Sequence, residues 1–168
     1  MKKVLFLDID GVLNTQRQHD RCVEEGIAPV DGFSYAFDPV AVANLARIVN
    51  ETGVDIVISS SWKFWGLTTM QKLWANRGLP GKVIDVTPNT TSDELLLEVD
   101  LSLMELPAGK GSEIKEWLST NGNQVTHYAI LDDMDDMLPE QYAHFVQVDP
   151  RIGITEADAE KIIEILTS

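Results

Sequence analysis

The sequence predicts an α/β fold: a doubly wound parallel sheet with helices on both faces, in three α/β/α layers, and no large cap domain. Three observations predict it. Short apolar runs such as Val4-Leu5-Phe6-Leu7 are continuous rather than alternating, as strands buried on both faces are. Stretches with apolar residues at helical spacing separate these runs. The order strand, helix, strand, helix then repeats along the chain, which requires crossover connections and therefore a parallel sheet.

Taken in order, Val4 to Leu7 is the first strand. A polar stretch with glycines, residues 15–37, reads as loop or a small lid. Asp38-Pro39 opens a helix as N-cap and first helical residue; Val42, Leu45, Ala46 and Val49 share one face, and Gly53 closes it. Val54 to Ile58 is a second strand. Thr68 to Arg77 is helical, ended by Gly78 and Pro80, and Lys82 to Val86 is a third strand. Residues 87–109 resist assignment: Leu97, Val99, Leu101 and Leu103 alternate like a strand, whereas Leu95-Leu96-Leu97 could end a short helix. Ser112 is expected to cap a helix with Ile114, Trp117 and Leu118 on one face, ended by Asn121-Gly122. Tyr128 to Leu131 and Phe145 to Val148 are further strands. Thr155-x-x-Asp158 starts the last helix as a capping box, with Ala159, Ile162, Ile163 and Leu166 as its inner stripe.

A length of 168 residues suits one domain over residues 1–168. Hydrophobic residues at 44% and charged residues at 24% indicate a globular rather than a disordered chain. No apolar run reaches membrane-spanning length, and Asp8 and Asp10 interrupt the only stretch resembling a signal peptide. The single cysteine, Cys22, has no internal disulfide partner, which fits a reducing, cytosolic setting. The formal net charge of −14 opposes bulk binding to nucleic acid or anionic membranes and suits a site that holds a cation. Oligomeric state is not legible.

In doubly wound sheets ligands bind beyond the carboxyl ends of the strands. The polar residues ending strands are Asp8, Ser59 and Asp132. The first strand runs into Asp8-Ile9-Asp10-Gly11-Val12-Leu13-Asn14. Two acids at a buried strand end are costly unless compensated, and a hard divalent cation would compensate them. Spacing by two permits a division of labour. One carboxylate attacks phosphorus and the other donates a proton to the leaving oxygen. Gly11 lets the chain turn sharply beside them. The bland alternative is that both acids only cap a turn.

Asp-x-Asp-Gly-Val-Leu-Asn after a first strand resembles motif I of the haloacid dehalogenase (HAD) superfamily. The resemblance implies three further motifs in order, and each has a candidate. Val57-Ile58-Ser59-Ser60-Ser61 supplies the strand ending in a phosphate-binding hydroxyl, with Ser59 first and Ser60 and Ser61 as rivals. Lys110, in Gly109-Lys110-Gly111-Ser112, supplies the lysine near a helix start, with Lys115 as fallback. That stretch is not a P-loop, because Glu105 stands where its first glycine would be and Gly111 follows the lysine. Ala129-Ile130-Leu131-Asp132-Asp133-Met134-Asp135-Asp136 supplies the acidic cluster, with Asp132 the direct metal ligand, Asp133 or Asp136 a second, and Asp135 solvated.

Further stretches, Ser59-Ser60-Ser61-Trp62-Lys63, Gly78-Leu79-Pro80, Val86-Thr87-Pro88 and Gly109-Lys110-Gly111-Ser112-Glu113-Ile114, resemble the HAD domains of Swiss Army knife RNA repair proteins. Lys63 stands where arginine often follows in such relatives. The resemblance implies a magnesium-dependent phosphohydrolase. Asp8 is its nucleophile and Asp10 its general acid/base. Ser59, Ser60, Lys110 and Gly11 lie on the phosphate. Asp8, Asp10 (through its backbone carbonyl), Asp132, Asp133 and Asp136 are its candidate metal ligands. The substrate implied is a phosphorylated small molecule or a nucleic-acid end. Asp10 argues against a receiver domain and against dehalogenase chemistry proper. A non-catalytic metal-binding or interaction domain and a phosphotransferase are the alternatives. The short spacing between motifs implies an open site. Trp62, Phe64 and Trp65 could stack a base there, and Arg17, His19 and Arg21 could add positive charge, although packing or solvation is the commoner fate of such residues.

Overall fold

In the computed structural model, which describes residues 2–89 and 109–168, Val4, Leu5, Phe6 and Leu7 are all fully buried. They belong to β1 (Lys2–Leu7), the middle strand of a five-stranded, all-parallel sheet. The other strands are β2 (Asp55–Ile58), β3 (Val83–Val86), β4 (Val125–Asp132) and β5 (Phe145–Gln147), in the order β3-β2-β1-β4-β5. The helices are α1 (Gln16–Glu25), α2 (Pro39–Thr52), α3 (Leu67–Asn76), α4 (Gly109–Asn121) and α5 (Glu156–Thr167).

The alternation along β1 sorts its side chains between two apolar layers. Leu5 and Leu7 join Ile56, Ile58 and Leu131 against Leu45 and Ile48 of α2, Met70 and Leu73 of α3, and Ile162 and Leu166 of α5. Val4 and Phe6 face the other way and join Val57 and Ile130 against Ile114 and Trp117 of α4. Phe6 meets Trp117 edge to face, with ring centroids 5.4 Å apart. Each fully buried aliphatic side chain contributes about 1.5–3 kcal/mol, which is why the middle strand is apolar on both faces.

The register delivers the site. Leu7 pairs with Ile58 on one side and with Leu131 on the other. The next residue of each strand, Asp8, Ser59 and Asp132, therefore emerges at the same edge. The chain runs outward from β1 to β2 to β3 and then returns to the far side of β1 with β4, so the winding reverses between β1 and β4. That reversal opens a crevice at the carboxyl ends of these two strands.

Two expectations are corrected. Residues 15–37 are not loop throughout, because α1 fills Gln16–Glu25. Thr15 caps it through a hydrogen bond accepted from the Gln18 N–H, and Gly26 ends it. The helix buries only Gln18 and Cys22, so it lacks the apolar stripe by which a helix is recognised. Ser112 does not cap the helix that follows it. Helix α4 is already formed at Gly109, and Ser112 lies in its first turn. The strand or hairpin considered within residues 87–109 falls mostly on 90–108, outside the described residues. Among the described residues no cap domain covers the strand ends, and no helix is long and apolar enough to cross a membrane.

Candidate active site

At the reversal point the carboxylates of Asp8, Asp132 and Asp133 converge, with one oxygen from each lying within 4.8 Å of the others. Asp8 is 5% exposed and Asp132 fully buried. The Asp8 backbone N–H donates to the Leu131 carbonyl, so the end of β1 is fastened to β4. Lys110, in the first turn of α4, reaches across from the opposite side. Its Nζ is 2.8 Å from Asp132 Oδ2 and 3.2 Å from Asp8 Oδ2.

The electrostatics follow from this crowding. Burial pushes the Asp8 carboxyl up to about 8; Asp132 adds to the rise and Lys110 opposes it. Burial likewise raises Asp132, against the pull of Lys110. For Lys110 burial favours losing the proton, but the attraction of Asp8 and Asp132 outweighs it and holds the ammonium above the usual lysine range. When all three acids are ionised, three negative charges face one positive charge, leaving two uncompensated. A divalent cation supplies that balance, and three carboxylates are the hard oxygen donors it prefers. The donor set therefore fits a metal such as magnesium.

Ser59 follows β2 directly, and its backbone N–H donates to the Leu7 carbonyl. Its Oγ is buried and has no hydrogen-bond partner among the described residues. A buried hydroxyl in that condition costs free energy unless a ligand completes it. The neighbouring serines differ. Ser60 Oγ accepts the Trp62 N–H and caps the 3-10 turn Ser61–Trp65, whereas Ser61 is exposed. Of the three rivals, Ser59 is the buried hydroxyl left uncommitted.

Asp10 lies at the mouth. Its Oδ1 accepts from Asn14 Nδ2 at 3.0 Å and its Oδ2 from the Trp62 indole Nε1 at 3.1 Å. Gly11 has φ +82°, and a Cβ there would stand 2.5 Å from Asp133 Oδ2. The glycine thus makes room for an acid of the cluster. Its own N–H is engaged by the Asn14 carbonyl at 2.8 Å, so it is not a free donor for phosphate.

Several expected residues sit elsewhere. Asp136 does not join the three-acid group. Its carboxylate accepts the backbone N–H groups of Gly109 and Lys110, so it caps α4 from a distant loop. The capping carboxylate comes from across space, whereas Ser112 lies inside the first turn. Asp135 is engaged by the Tyr142 hydroxyl at 2.7 Å. Lys115 is on the surface beside Glu140. Lys63 is buried against Glu113, Thr87 and the Pro88 carbonyl. Arg17 pairs with Asp38, Arg21 lies 4.0 Å from Glu25, and His19 packs on Tyr35. Trp62 is 8% exposed and packed against Phe33 and Phe37, whereas Phe64 and Trp65 remain 70% and 60% exposed.

Sequence reasoning missed Gln141, which is 1% exposed. Its amide donates to the Gly111 carbonyl and accepts the Leu138 N–H, bolting the start of α4 to the loop after β4. Its local signal is a capping box, Leu138-Pro139-x-Gln141, but the contact to Gly111 lies thirty residues away and leaves no mark in the sequence.

Residues 4–159 match the family model described as the HAD domain in Swiss Army Knife RNA repair proteins. No curated protein matches the chain.

Proposed function

The chain belongs to the family of HAD domains in Swiss Army Knife RNA repair proteins, and from that premise we propose that it is a magnesium-dependent phosphohydrolase working through an aspartyl-phosphate on Asp8. The observation that carries the proposal is the convergence of Asp8, Asp132, Asp133 and Lys110 beside the unpartnered hydroxyl of Ser59.

In the first step an Asp8 carboxylate oxygen attacks phosphorus and the bond from phosphorus to the ester oxygen breaks. Asp10 gives its proton to the departing oxygen. In the second step a water attacks the phosphorus of the aspartyl-phosphate, Asp10 takes a proton from it, and inorganic phosphate leaves with Asp8 restored. Ser59 donates to a phosphoryl oxygen and the Lys110 ammonium balances the charge that builds there. Asp8, Asp132, Asp133 and the Asp10 backbone carbonyl would hold a magnesium ion, which offsets the repulsion between nucleophile and phosphate. Most of the acceleration then comes from positioning and charge stabilisation.

The substrate class proposed is a phosphomonoester whose leaving group is a nucleotide or a nucleic-acid end. The family's association with RNA repair and the exposed rings of Phe64 and Trp65 support it. The net charge of −14 favours reading an end rather than a long stretch of polynucleotide. A reducing, cytosolic setting is the companion proposal, supported by the lone buried Cys22.

The test is phosphate release with and without magnesium by wild type and Asp8→Asn. The panel comprises p-nitrophenyl phosphate, mononucleotides, sugar phosphates, and oligonucleotides carrying a 3′- or 5′-phosphate. Magnesium-dependent release abolished by Asp8→Asn is expected, with the best rate on a nucleotide or an oligonucleotide end. Folded, magnesium-binding protein that releases phosphate from none of them would sink the proposal.

A further inference from the structure

Asp10 carries two hydrogen bonds, one on each carboxylate oxygen, and both donors can be named. Asn14 Nδ2 holds Oδ1 at 3.0 Å and the indole Nε1 of Trp62 holds Oδ2 at 3.1 Å. Two donors on opposite oxygens fix the plane of a carboxyl group that one donor would leave free to turn about its own axis. Each sp2 oxygen keeps a second lone pair. Asp10 also lines a pocket of about 280 Å³ with Gly11, Asn14, Asp133, Pro150 and Arg151, so its carboxyl group has an open side.

The two donors are themselves held. Asn14 lies on the tight turn whose backbone closes through the Gly11 N–H to the Asn14 carbonyl. Trp62 begins at the Ser60-capped turn, and its ring is set between Phe37, 5% exposed at 5.7 Å, and Phe33 at 6.2 Å. A large ring packed on two aromatic neighbours has few rotamers to sample, so its N–H is aimed before any substrate arrives. The indole is moreover donor-only, so the oxygen it meets must accept.

We propose that Trp62 and Asn14 are positioning residues that act through Asp10, clamping its carboxyl plane so that it meets the leaving-group oxygen. This rests on the reading of Asp10 as the general acid. The clamp matters where the departing oxygen needs a proton to leave and matters little where it does not. A nitrophenolate departs without one, whereas an alkoxide does not.

The experiment measures kcat/KM, which reports the first irreversible step, for p-nitrophenyl phosphate and for glycerol phosphate. The proteins are wild type, Asp8→Asn, Trp62→Phe and Asn14→Ala, each checked for its melting temperature. Trp62→Phe keeps a ring against Phe37 and removes the donor. The expected result is a fall of about 10- to 100-fold on glycerol phosphate with KM nearly unchanged, against about threefold or less on the nitrophenyl ester. Asn14→Ala is expected to show the same split, and it carries the test if Trp62→Phe does not fold. Equal falls on the two esters would mean that the residues only support the fold and would overturn the clamp, as would no fall on either. A wild type no better than Asp8→Asn on both esters, on the mononucleotides and on the oligonucleotide ends would overturn the phosphohydrolase reading together with the clamp. An active wild type without the split would overturn the clamp alone.

Discussion

Asp136 and Lys110 are bound to each other through the main chain: the carboxylate of Asp136 accepts the Lys110 N–H at 3.1 Å and that of Gly109 at 3.2 Å. The side chain of the same lysine reaches Asp132, four residues before Asp136. The end of β4 and the loop after it therefore hold the lysine at both ends, its ammonium through Asp132 and its amide through Asp136. Replacing Asp136 by Ala frees two first-turn amides and removes a favourable charge from the helix N-terminus. The expected cost is about 1–2 kcal/mol of stability, with a fall in kcat of about tenfold as Lys110 loses its aim. Urea unfolding and steady-state kinetics measure both. An Asp136→Ala protein as stable and as active as wild type would refute the capping role.

Ser59→Ala is expected to separate stability from activity. The hydroxyl makes no hydrogen bond among the described residues, so its removal leaves no partner stranded. Unfolding free energy should change by less than about 0.5 kcal/mol. If Ser59 holds a phosphoryl oxygen, kcat/KM should fall about tenfold or more. A destabilised variant with undiminished kcat/KM would point to a structural hydroxyl instead.

The Asp8 carboxyl gives the metal-free protein a pH signature. Its folded value, about 8, lies above its ordinary 3.8 because burial and Asp132 disfavour the anion. Between those two values the native state keeps a proton that the unfolded chain gives up. The sign is therefore negative: stability of the metal-free protein falls as pH rises across this window. Magnesium displaces the proton, so its stabilising increment should grow over the same range. Melting temperatures of wild type and Asp8→Asn at about pH 5 and about pH 8, in chelator and then in magnesium, test this. Asp8→Asn should show the flatter metal-free profile, and parallel profiles for the two proteins would contradict the assignment.

Gly11→Ala should damage the cation site. The residue sits at φ +82°, and the new Cβ would meet Asp133 Oδ2 at 2.5 Å and Pro150 Cβ at 3.0 Å. Backbone strain of about 1 kcal/mol or more is expected. Displacement of Asp133 should raise the magnesium concentration needed for half-maximal activity by about tenfold. A titration of activity against magnesium reads this directly, and an unchanged midpoint would show that Asp133 is not needed at the ion.

The parallel sheet was legible because the apolar runs at Val4–Leu7 and around Ile58 and Leu131 are continuous, and continuity is what double-sided burial requires. Asp8, Ser59 and Asp132 stood out for the same reason, as polar residues placed where an apolar run stops. What eluded the sequence depends on partners remote along the chain. Helix α1 is built of polar residues and tied down through Thr15 and Arg17 to Asp38, so it carries no stripe to read. Asp136 looks like one more acid in a cluster until α4 is laid against it. Lys63 stands where an arginine often does, and only the fold shows that Glu113, fifty residues later, holds it.

The central position of β1 also dictates when the site comes into being during folding. β1 pairs with β2 within the first sixty or so residues, but its other edge waits for β4, whose pairing with Leu7 comes from Leu131. Before β4 pairs with β1, Asp8 lacks Asp132 and Asp133 beside it. Its acidic neighbours and its lysine arrive together when the strand that carries Asp132 closes the sheet over α4. Such long-range pairing is the slow, entropically demanding kind. The proposed site should therefore not assemble piecemeal. It should appear in one cooperative event, late on the folding pathway, together with the completed sheet.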